Sequence, residues 1–190
     1  FEDMFFNGTG SSTGNSWSSS KEWIGLASLV GTTTTAGGID GNTETWWRST
    51  VDSDAVVLSL TDLAHVYNSV SYGSDKCDFE VTTQLGYERY EALLQANQRF
   101  TDATTGKAGF ENLIHKGGVV TWSDYCPAGE WYFLNSRHIK LSVLDGEWMK
   151  WKGFIQPYDK DAEYGMILAY GAFTTDGRRY LGKLTGKTDI

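Results

Sequence analysis

The feature that most constrains the fold is an apolar stripe that begins shortly after residue 54. Ser53 is a suitable N-cap residue and Gly73 a suitable residue beyond the C-terminus of a helix. The stripe predicts an amphipathic helix from about Asp54 to Tyr72, longer than the mean globular helix of about 11 to 12 residues. Its members recur at spacings of three and four: Val56, Leu60, Leu63, Ala64, Tyr67 and Val70.

After this stripe the chain changes from helical to extended patterns. A short β-prone stretch, CDFEVTT, leads into a second helix that opens at Thr82 or Thr83. From Lys116 onward, turn signals separate the β-prone runs GGVVTW, EWYFLN, HIKLSVL, GMILAYGAF and RRYLGKLTG. Helices early and strands late indicate an α+β protein, because the alternation that builds a doubly wound parallel sheet is missing.

Composition limits the class of protein. The 190 residues are 40% hydrophobic, enough for a sizeable core. The formal net charge of -8 argues against sequence-independent binding to nucleic acid, which needs a surplus of Lys and Arg. No apolar run is long enough to span a membrane, so we expect a soluble protein. Because the chain begins with Phe1, we also expect a processed form or a fragment.

The acidic residues of the second helix do not indicate catalysis. Glu88 and Glu91, together with Asp102, are the candidates for a general acid and base. Glu88 and Glu91 are three residues apart and flank Arg89, the pattern of an ion-pairing surface. We therefore predict no catalytic residue.

No cofactor or metal site is predicted either. Cys77 and Cys126 lack a metal-binding spacing, which favours free buried thiols. The acidic loops GIDGNTE and YDKDAE lack the glycine and the late bidentate glutamate of a calcium loop, so turn chemistry explains them. No metal-ligand spacing relates the three histidines, His65, His115 and His138.

The tryptophans leave two interpretations open. Trp46 and Trp47, next to Arg48, suit a stacking platform for carbohydrate, with Trp148 and Trp151 as further contacts. Large aromatic residues are mostly buried on average. We therefore predict Trp46 and Trp47 to be core anchors at the base of the first helix.

The order of several short motifs resembles the major capsid proteins of tailed bacteriophages. The resemblance covers roughly Gly25 to Thr188 and implies the tailed-phage capsid fold, which encapsulins share. This fold has a peripheral lobe with a long spine helix, an axial lobe with a central sheet flanked by helices, and extensions that interlock neighbours. The motifs, in order, are WWR before a long helix, FEVTT, YERYEALLQANQRF, AGFENLIHKGGVV, DYCPAGEWYFLN and GRRYLGKLTG.

The resemblance implies a division of the chain into four parts. Residues 1–75 belong to the peripheral lobe and include polar loops and the spine helix (about 54–72). Residues 76–136 form the axial lobe, and residues 137–160 return through the peripheral sheet. Residues 161–190 are terminal strands assigned to the axial lobe. The family's N-terminal arm and most of its extended hairpin loop are expected upstream of Phe1.

The same resemblance implies a non-enzymatic structural subunit. Copies are expected to assemble into hexamers and pentamers that form an icosahedral shell around viral DNA, in the host cytoplasm and then in the virion. Expected partners are other copies, scaffold, portal and decoration proteins, and packaged DNA without specific binding, but no membrane and no cofactor. The alternatives are an encapsulin-type compartment shell and a tryptophan-rich carbohydrate-binding module.

A shell subunit repeats the same contacts around five- and six-fold axes, which requires complementary patches. The segment YERYEALLQANQRF combines arginines and glutamates for directional contacts with aromatic rings for burial. We predict that it forms a subunit interface through Tyr87, Glu88, Arg89, Tyr90, Glu91, Arg99 and Phe100.

Overall fold

The computed structural model describes residues 2–8, 23–95, 113–156, 158–159 and 161–190. Its α-helices are α1 (Glu2–Asn7), α2 (Leu26–Leu29), α3 (Leu60–Val70) and α4 (Gln84–Gln95). The strands are β1 (Thr35–Ala36), β2 (Ile39–Asp40), β3 (Thr50–Ser53), β4 (Phe79–Thr82), β5 (Leu113–His115), β6 (Gly118–Trp122), β7 (Trp131–Leu134), β8 (Ile139–Val143), β9 (Lys150–Ile155), β10 (Tyr164–Leu168), β11 (Gly171–Thr175) and β12 (Gly182–Thr185). The predicted α+β class is confirmed.

A six-stranded mixed sheet organises the described part of the chain, in the order β3-β12-β7-β4-β6-β5. The pairs β3–β12 and β4–β6 are parallel, and the other neighbours are antiparallel. Strand β12, near the end of the chain, therefore lies between β3 and β7. The sheet joins segments that are far apart in sequence.

Both faces of this sheet are buried, because successive residues of a strand point to opposite faces. On β7, Trp131 belongs to the core beneath α3 and α4, and its neighbour Tyr132 belongs to the core beneath α1 and α2. All four residues of β7 are buried. Helices thus cover the two faces, and β7 reads as a continuous apolar run.

The structure corrects the boundaries of the first predicted helix. Residues 50–53 form β3, and the helix begins only after Ser59. The Ser59 hydroxyl accepts a hydrogen bond from the Asp62 N–H, and the Asp62 carboxylate accepts one from the Ser59 N–H, which together form a capping box. Because the backbone is already extended at Ser71, α3 has eleven residues, an ordinary length, and not the predicted nineteen from 54 to 72.

The second predicted helix and the strands around it are confirmed. Strand β4 covers FEVT, and α4 starts at Gln84, one residue after the predicted opening. The Thr83 hydroxyl accepts a hydrogen bond from the N–H of Gly86, as an N-cap does. From residue 118 onward, β6, β7, β8 and β12 lie within predicted runs, whereas the run GMILAYGAF covers two strands, β10 and β11, and β9 was not predicted.

Strands β8 to β11 form an extended element that we call the arm, residues 139–175. Strand β8 pairs only with β11, and β9 only with β10, among the strands that the structure describes. The predicted boundary between residues 160 and 161 falls inside the arm, since β9 precedes it and β10 follows it. The division into lobes stays a prediction.

Candidate assembly surface

Helix α4 carries most of the predicted interface residues. Tyr87 is half-buried against the core beneath α3 and α4. Glu88 is exposed, and its Oε1 accepts a hydrogen bond of 3.0 Å from Gln84 Nε2. Arg89 Nε lies 2.7 Å from Asp189 Oδ2, so this guanidinium is already paired within the chain.

Tyr90 is not a surface residue, and its assignment to a subunit interface is wrong. Its side chain is 1% exposed, and its ring packs edge-to-face on Trp131 with centroids 5.6 Å apart. Its hydroxyl donates a hydrogen bond of 3.1 Å to the Ile114 carbonyl. Helix α4 covers the sheet, and Tyr90 lies on the side of the helix that faces it.

The remaining interface residues divide into two groups. Arg99 and Phe100 lie outside the described residues. For Tyr87, Glu88, Arg89 and Glu91, the interface assignment stays a prediction.

The two neighbouring tryptophans have different surroundings. Trp47 is buried, as predicted for a core anchor, and its Nε1 donates a hydrogen bond of 3.0 Å to the Ala36 carbonyl. Trp46 is 60% exposed and donates to Glu44 Oε2 at 2.6 Å, so it is not a core anchor. Within the short 3₁₀ turn that carries them, only one of two adjacent rings is directed inward.

Sequence patterns gave no indication of the polar residues that are buried in the core. Glu80 is fully buried on β4, where His115 Nδ1 lies 2.8 Å from one carboxylate oxygen and Trp131 Nε1 donates to the other at 2.9 Å. Burial raises the pKa of the Glu80 carboxyl, and the contacts with His115 and Trp131 oppose that rise. Because the group is closed to solvent, it links β4, β5 and β7 and is out of reach of a substrate.

Arg178 is the second such residue. It is fully buried, and its guanidinium donates to the carbonyls of Leu29 at 2.8 Å, Gly31 at 3.0 Å and Thr34 at 2.7 Å. It also donates to the Thr34 hydroxyl. Burial lowers the pKa of Arg178. The residue fixes the segment that follows α2 against the turn before β12.

The end of the chain is held beside α3 and α4. Lys187 Nζ contacts Asp54, and it donates to Asp62 Oδ2 at 2.8 Å. Burial lowers the pKa of Lys187, but the two carboxylates raise it more, so the net shift is upward. The Asp189 carboxylate accepts a hydrogen bond of 2.7 Å from the N–H of Leu58 and pairs with Arg89. These contacts position the surface around α4.

The arm exposes large apolar side chains along most of its length. Phe154 at 70% is an example on β9. The exposed apolar residues of the arm are Leu141, Val143, Leu144, Trp148, Met149, Trp151, Phe154, Ile155, Tyr158, Tyr164, Met166, Ile167 and Tyr170. Large apolar side chains exposed together in this way are typical of a contact surface.

A bulge decides which residues share a face of the arm. Trp151 lies opposite Ile167, and Phe154 lies opposite Gly165. Between these two pairs β9 therefore contains one residue more than β10. Gly153, with φ of 83°, supplies the left-handed conformation that the extra residue needs. Trp151 and Phe154 therefore share a face despite a spacing of three, with ring centroids 5.3 Å apart.

A stacked cluster fixes the base of the arm to the body, by which we mean the described residues outside the arm. The His138 ring lies parallel to that of Tyr180, with centroids 4.0 Å apart. His138 Nδ1 lies 2.6 Å from the carboxylate of Asp176, directly after β11, and Nε2 lies 4.0 Å from Asp75 on the body. The Asp176 pKa is lowered by the hydrogen bonds from His138 and Lys140.

A cleft of about 420 Å³ opens at the start of α4. Among the described residues that line it, two are acidic, Glu88 and Asp124, and none is basic. Ser123 donates a hydrogen bond of 2.6 Å to Glu2, a further acidic residue nearby. The lining consists of Thr83, Gln84, Leu85, Glu88, Ser123, Asp124 and Cys126.

The described residues contain no cluster of three or more His, Cys, Asp and Glu side chains suited to a metal ion. Within the same residues, no helix is both long enough and apolar enough to cross a membrane. Cys77 and Cys126 are free and buried, and burial raises the pKa of both thiols, that of Cys126 to about 12.

Comparison with known proteins gives matches in structure only. No model of a protein family matches the sequence, and no curated protein matches it significantly. A chain of the cyanophage A-1(L) capsid asymmetric unit matches with a TM-score of 0.62 at 15% identity, over 88% of this chain and 61% of that one. The chain has the tailed-phage capsid fold.

An encapsulin has the same capsid fold and matches the chain over a shorter part. A chain of the holo-SrpI encapsulin complex from Synechococcus elongatus PCC 7942 has a TM-score of 0.57 and 12% identity, over 73% of this chain and 52% of that one. The chain thus spans 61% and 52% of the lengths of these two proteins. The capsid fold inferred from motif order is confirmed.

Within this capsid fold, sequence reasoning missed the arm and the cleft as surfaces. The run YGMIL is apolar at consecutive positions, a pattern typical of strands buried on both faces, whereas KWKGFI includes Lys150 and Lys152 and was not predicted to be a strand. In the described residues each of these strands has only one partner strand and remains exposed. For the cleft, no signal in the sequence relates α4 to residues 123–126.

Proposed function

We propose that this chain is a structural subunit of a phage capsid, which assembles with itself into hexamers and pentamers. These capsomers form an icosahedral shell that encloses viral DNA. The capsid fold supports the proposal, and the observation that carries it is the arm. The arm is two strands wide along its length, first β8 with β11 and then β9 with β10, and large apolar side chains lie on both of its faces.

Such an arm requires a partner for physical reasons. An isolated two-stranded hairpin is at best marginally stable in water. Burying apolar surface contributes about 25 cal/mol for each Å² removed from water, so the arm gains most when another surface covers it. A subunit that contacts its neighbours in a ring offers that cover at every position of the shell.

Several further properties belong to the same proposal. The shell is assembled in the host cytoplasm and ends in the virion. Scaffold, portal and decoration proteins are its other partners, and it involves no membrane, cofactor or catalysis. The net charge of -8 favours packaging of DNA without specific binding.

An encapsulin-type compartment shell is the second candidate, because an encapsulin has the same fold at a similar TM-score. The carbohydrate-binding module is disfavoured by the geometry of Trp46 and Trp47. Their rings meet edge-to-face at an interplanar angle of 63°, and Trp47 is buried. The pair therefore offers no flat platform for a sugar.

Electron microscopy of the protein purified from an expressing host tests the shell, and nuclease treatment tests its content. We expect closed particles of uniform diameter. In particles isolated from infected cells, nuclease-resistant DNA supports the phage capsid, and enclosed protein without DNA supports the compartment. A protein that stays monomeric at all concentrations contradicts both.

A point substitution on the arm tests the observation that carries the proposal. We expect Phe154→Ser to reduce the yield of particles by about tenfold or more, because truncating a buried anchor at an interface typically costs about 2 kcal/mol or more. Sedimentation velocity measures the assembled fraction. The matched control is Trp46→Ser, which removes an aromatic ring outside the arm that is 60% exposed, against 70% for Phe154, and this variant should assemble normally. Equal assembly of the two variants would remove the arm from the proposal.

A further inference from the structure

One face of the outer arm, which consists of β9, β10 and the residues that flank them (144–170), combines positive charge with apolar surface. Lys150 and Lys152 both contact Glu147, with Lys152 Nζ 3.8 Å from its carboxylate, so the two lysines lie on the same side. The bulge at Gly153 places Ile155 on this side too, opposite the face that carries Trp151 and Phe154. Tyr164 is the direct cross-strand partner of Ile155 and shares its face. We call this surface the cationic face: Lys150, Lys152, Ile155 and Tyr164; with the Glu147 carboxylate that both lysines contact, two positive charges and one negative charge leave it a net charge of +1.

The cleft at the start of α4 has the complementary character. Glu88 and Asp124 supply two carboxylates, and no basic residue lines the cleft among those described. Exposed apolar residues lie at or beside its walls, with Leu85 in the lining and Trp122 and Tyr125 next to the lining residues Ser123 and Asp124.

We propose that the cationic face of one copy docks into this cleft of a neighbouring copy. The inference rests on the proposed function, since it names the partner surface that covers the arm. Lys150 and Lys152 approach Glu88 and Asp124, and the apolar residues of the two surfaces meet around these charges. Charge complementarity of this kind determines which two surfaces bind each other. It also destabilises contacts in the wrong register, where like charges would be adjacent.

The contact is heterologous, because the two surfaces differ and lie at different places on the chain. Contacts of this type close into rings when the rotation between copies is a simple fraction of a turn. The pairing thus accounts for a role of Glu88 in recognition between copies. It also leaves the apolar face with Trp151 and Phe154 available for a separate contact.

Charge reversal with a compensating reversal tests the pairing. The single variants are Lys152→Glu on the arm and Glu88→Lys at the cleft, and the third protein carries both. The control is Lys76→Glu, which reverses an exposed lysine on the body. Sedimentation velocity and electron microscopy measure the particle yield, and circular dichroism checks that each variant is folded.

We expect each single reversal to lower the particle yield by about tenfold and to leave the control unchanged, because like charges brought together destabilise a contact strongly. The double variant should return to within about twofold of the original yield. If both single variants fail and the double variant does not recover, the two surfaces do not meet each other, and the pairing is wrong.

Other results also decide the question. If Lys152→Glu assembles normally and Glu88→Lys does not, the cleft receives a different segment, which overturns the pairing. If both single variants assemble as the control does, the pairing is again wrong, while the shell stands. If the unaltered protein forms no particle, the proposed function itself fails.

Discussion

At the scale of single residues, the buried polar groups contribute most to the selection of one arrangement of loops and strands. Arg178 and Glu80 are fully buried, and each satisfies its polar atoms with partners from distant segments. A buried polar atom left without a partner costs about 1–3 kcal/mol. These residues therefore select one arrangement of loops and strands, in addition to stabilising it.

We predict that Arg178→Lys lowers the free energy of unfolding by about 2–4 kcal/mol, because one ammonium group cannot reach all the acceptors that the planar guanidinium serves. Urea unfolding of the unassembled subunit, followed by circular dichroism, measures the change. Arg179→Lys is the neighbouring control. The Arg179 guanidinium lies over the Tyr72 ring at 3.9 Å, and its loss should cost no more than about 1 kcal/mol. Equal losses in the two variants would argue against a special role for Arg178.

At the scale of elements, the start of α3 shows how local signals compete. Ser53 and Ser59 are both acceptable N-cap residues by type. Only Ser59 has an acidic residue three positions later that returns the hydrogen bond, and only Ser53 lies on a strand that pairs with β12. Because β3 pairs with β12, residues 50–53 are extended and cannot form the start of the helix. The capping box of Ser59 and Asp62 determines where the helix begins.

We predict a pH-dependent effect of Asp62→Asn. Burial raises the pKa of Asp62, but hydrogen bonds from Lys187 and Ser59 outweigh it, and the net pKa is lower than the ordinary value of 3.8. A lowered pKa means that the carboxylate stabilises the fold above pH 3.8 and that this contribution disappears as the pH falls through the folded-state value.

At pH 7 we expect Asp62→Asn to cost about 1–2 kcal/mol, the usual worth of a cap contact with some additional ion pairing. The difference from the original protein should shrink towards zero below pH 3.8. Urea unfolding at a series of pH values measures it, with Asp145→Asn, in an exposed turn, as the control. A difference that does not change with pH would show that the carboxylate charge plays no part.

At the scale of the whole molecule, the body and the arm have different sources of stability. The two cores beneath the helices include no residue between Leu144 and Tyr170. Among the described residues, one contact between the outer arm and the body is the stack of Trp148 on Trp23, with centroids 6.0 Å apart. We therefore expect the body to fold without the outer arm, whose exposed apolar surface is available to another molecule.

Replacing residues 144–170 with Asn-Gly tests this division. Val143 and Gly171 are direct cross-strand partners, so a two-residue turn joins them without moving β8 or β11. We expect the melting temperature of the unassembled subunit to fall by only about 2–4 °C, as the loss of about 1 kcal/mol predicts. Particle formation should be abolished. A shortened chain that does not fold would show that the outer arm belongs to the folding unit.

The sequence by itself determined the positions of the two main helices, most of the later strands and, through motif order, the capsid fold. The periodicities around Leu63 and Tyr87 predicted α3 and α4, and the β-prone runs predicted the strands after residue 118 other than β9, because side-chain spacing follows directly from local backbone geometry. Motif order was informative since homologous folds keep their segments in sequence.

Only the tertiary structure decided which apolar residues are covered. Tyr90 and Phe154 are both aromatic residues in regular elements, yet Tyr90 lies under a helix in the core and Phe154 lies on a two-stranded arm without a covering layer. Burial depends on which distant segments pack together, here β3 and β12 meeting beside β7. Local spacing contains no information about that long-range packing, which is why the arm, the cleft and the buried charges emerged from the structure alone.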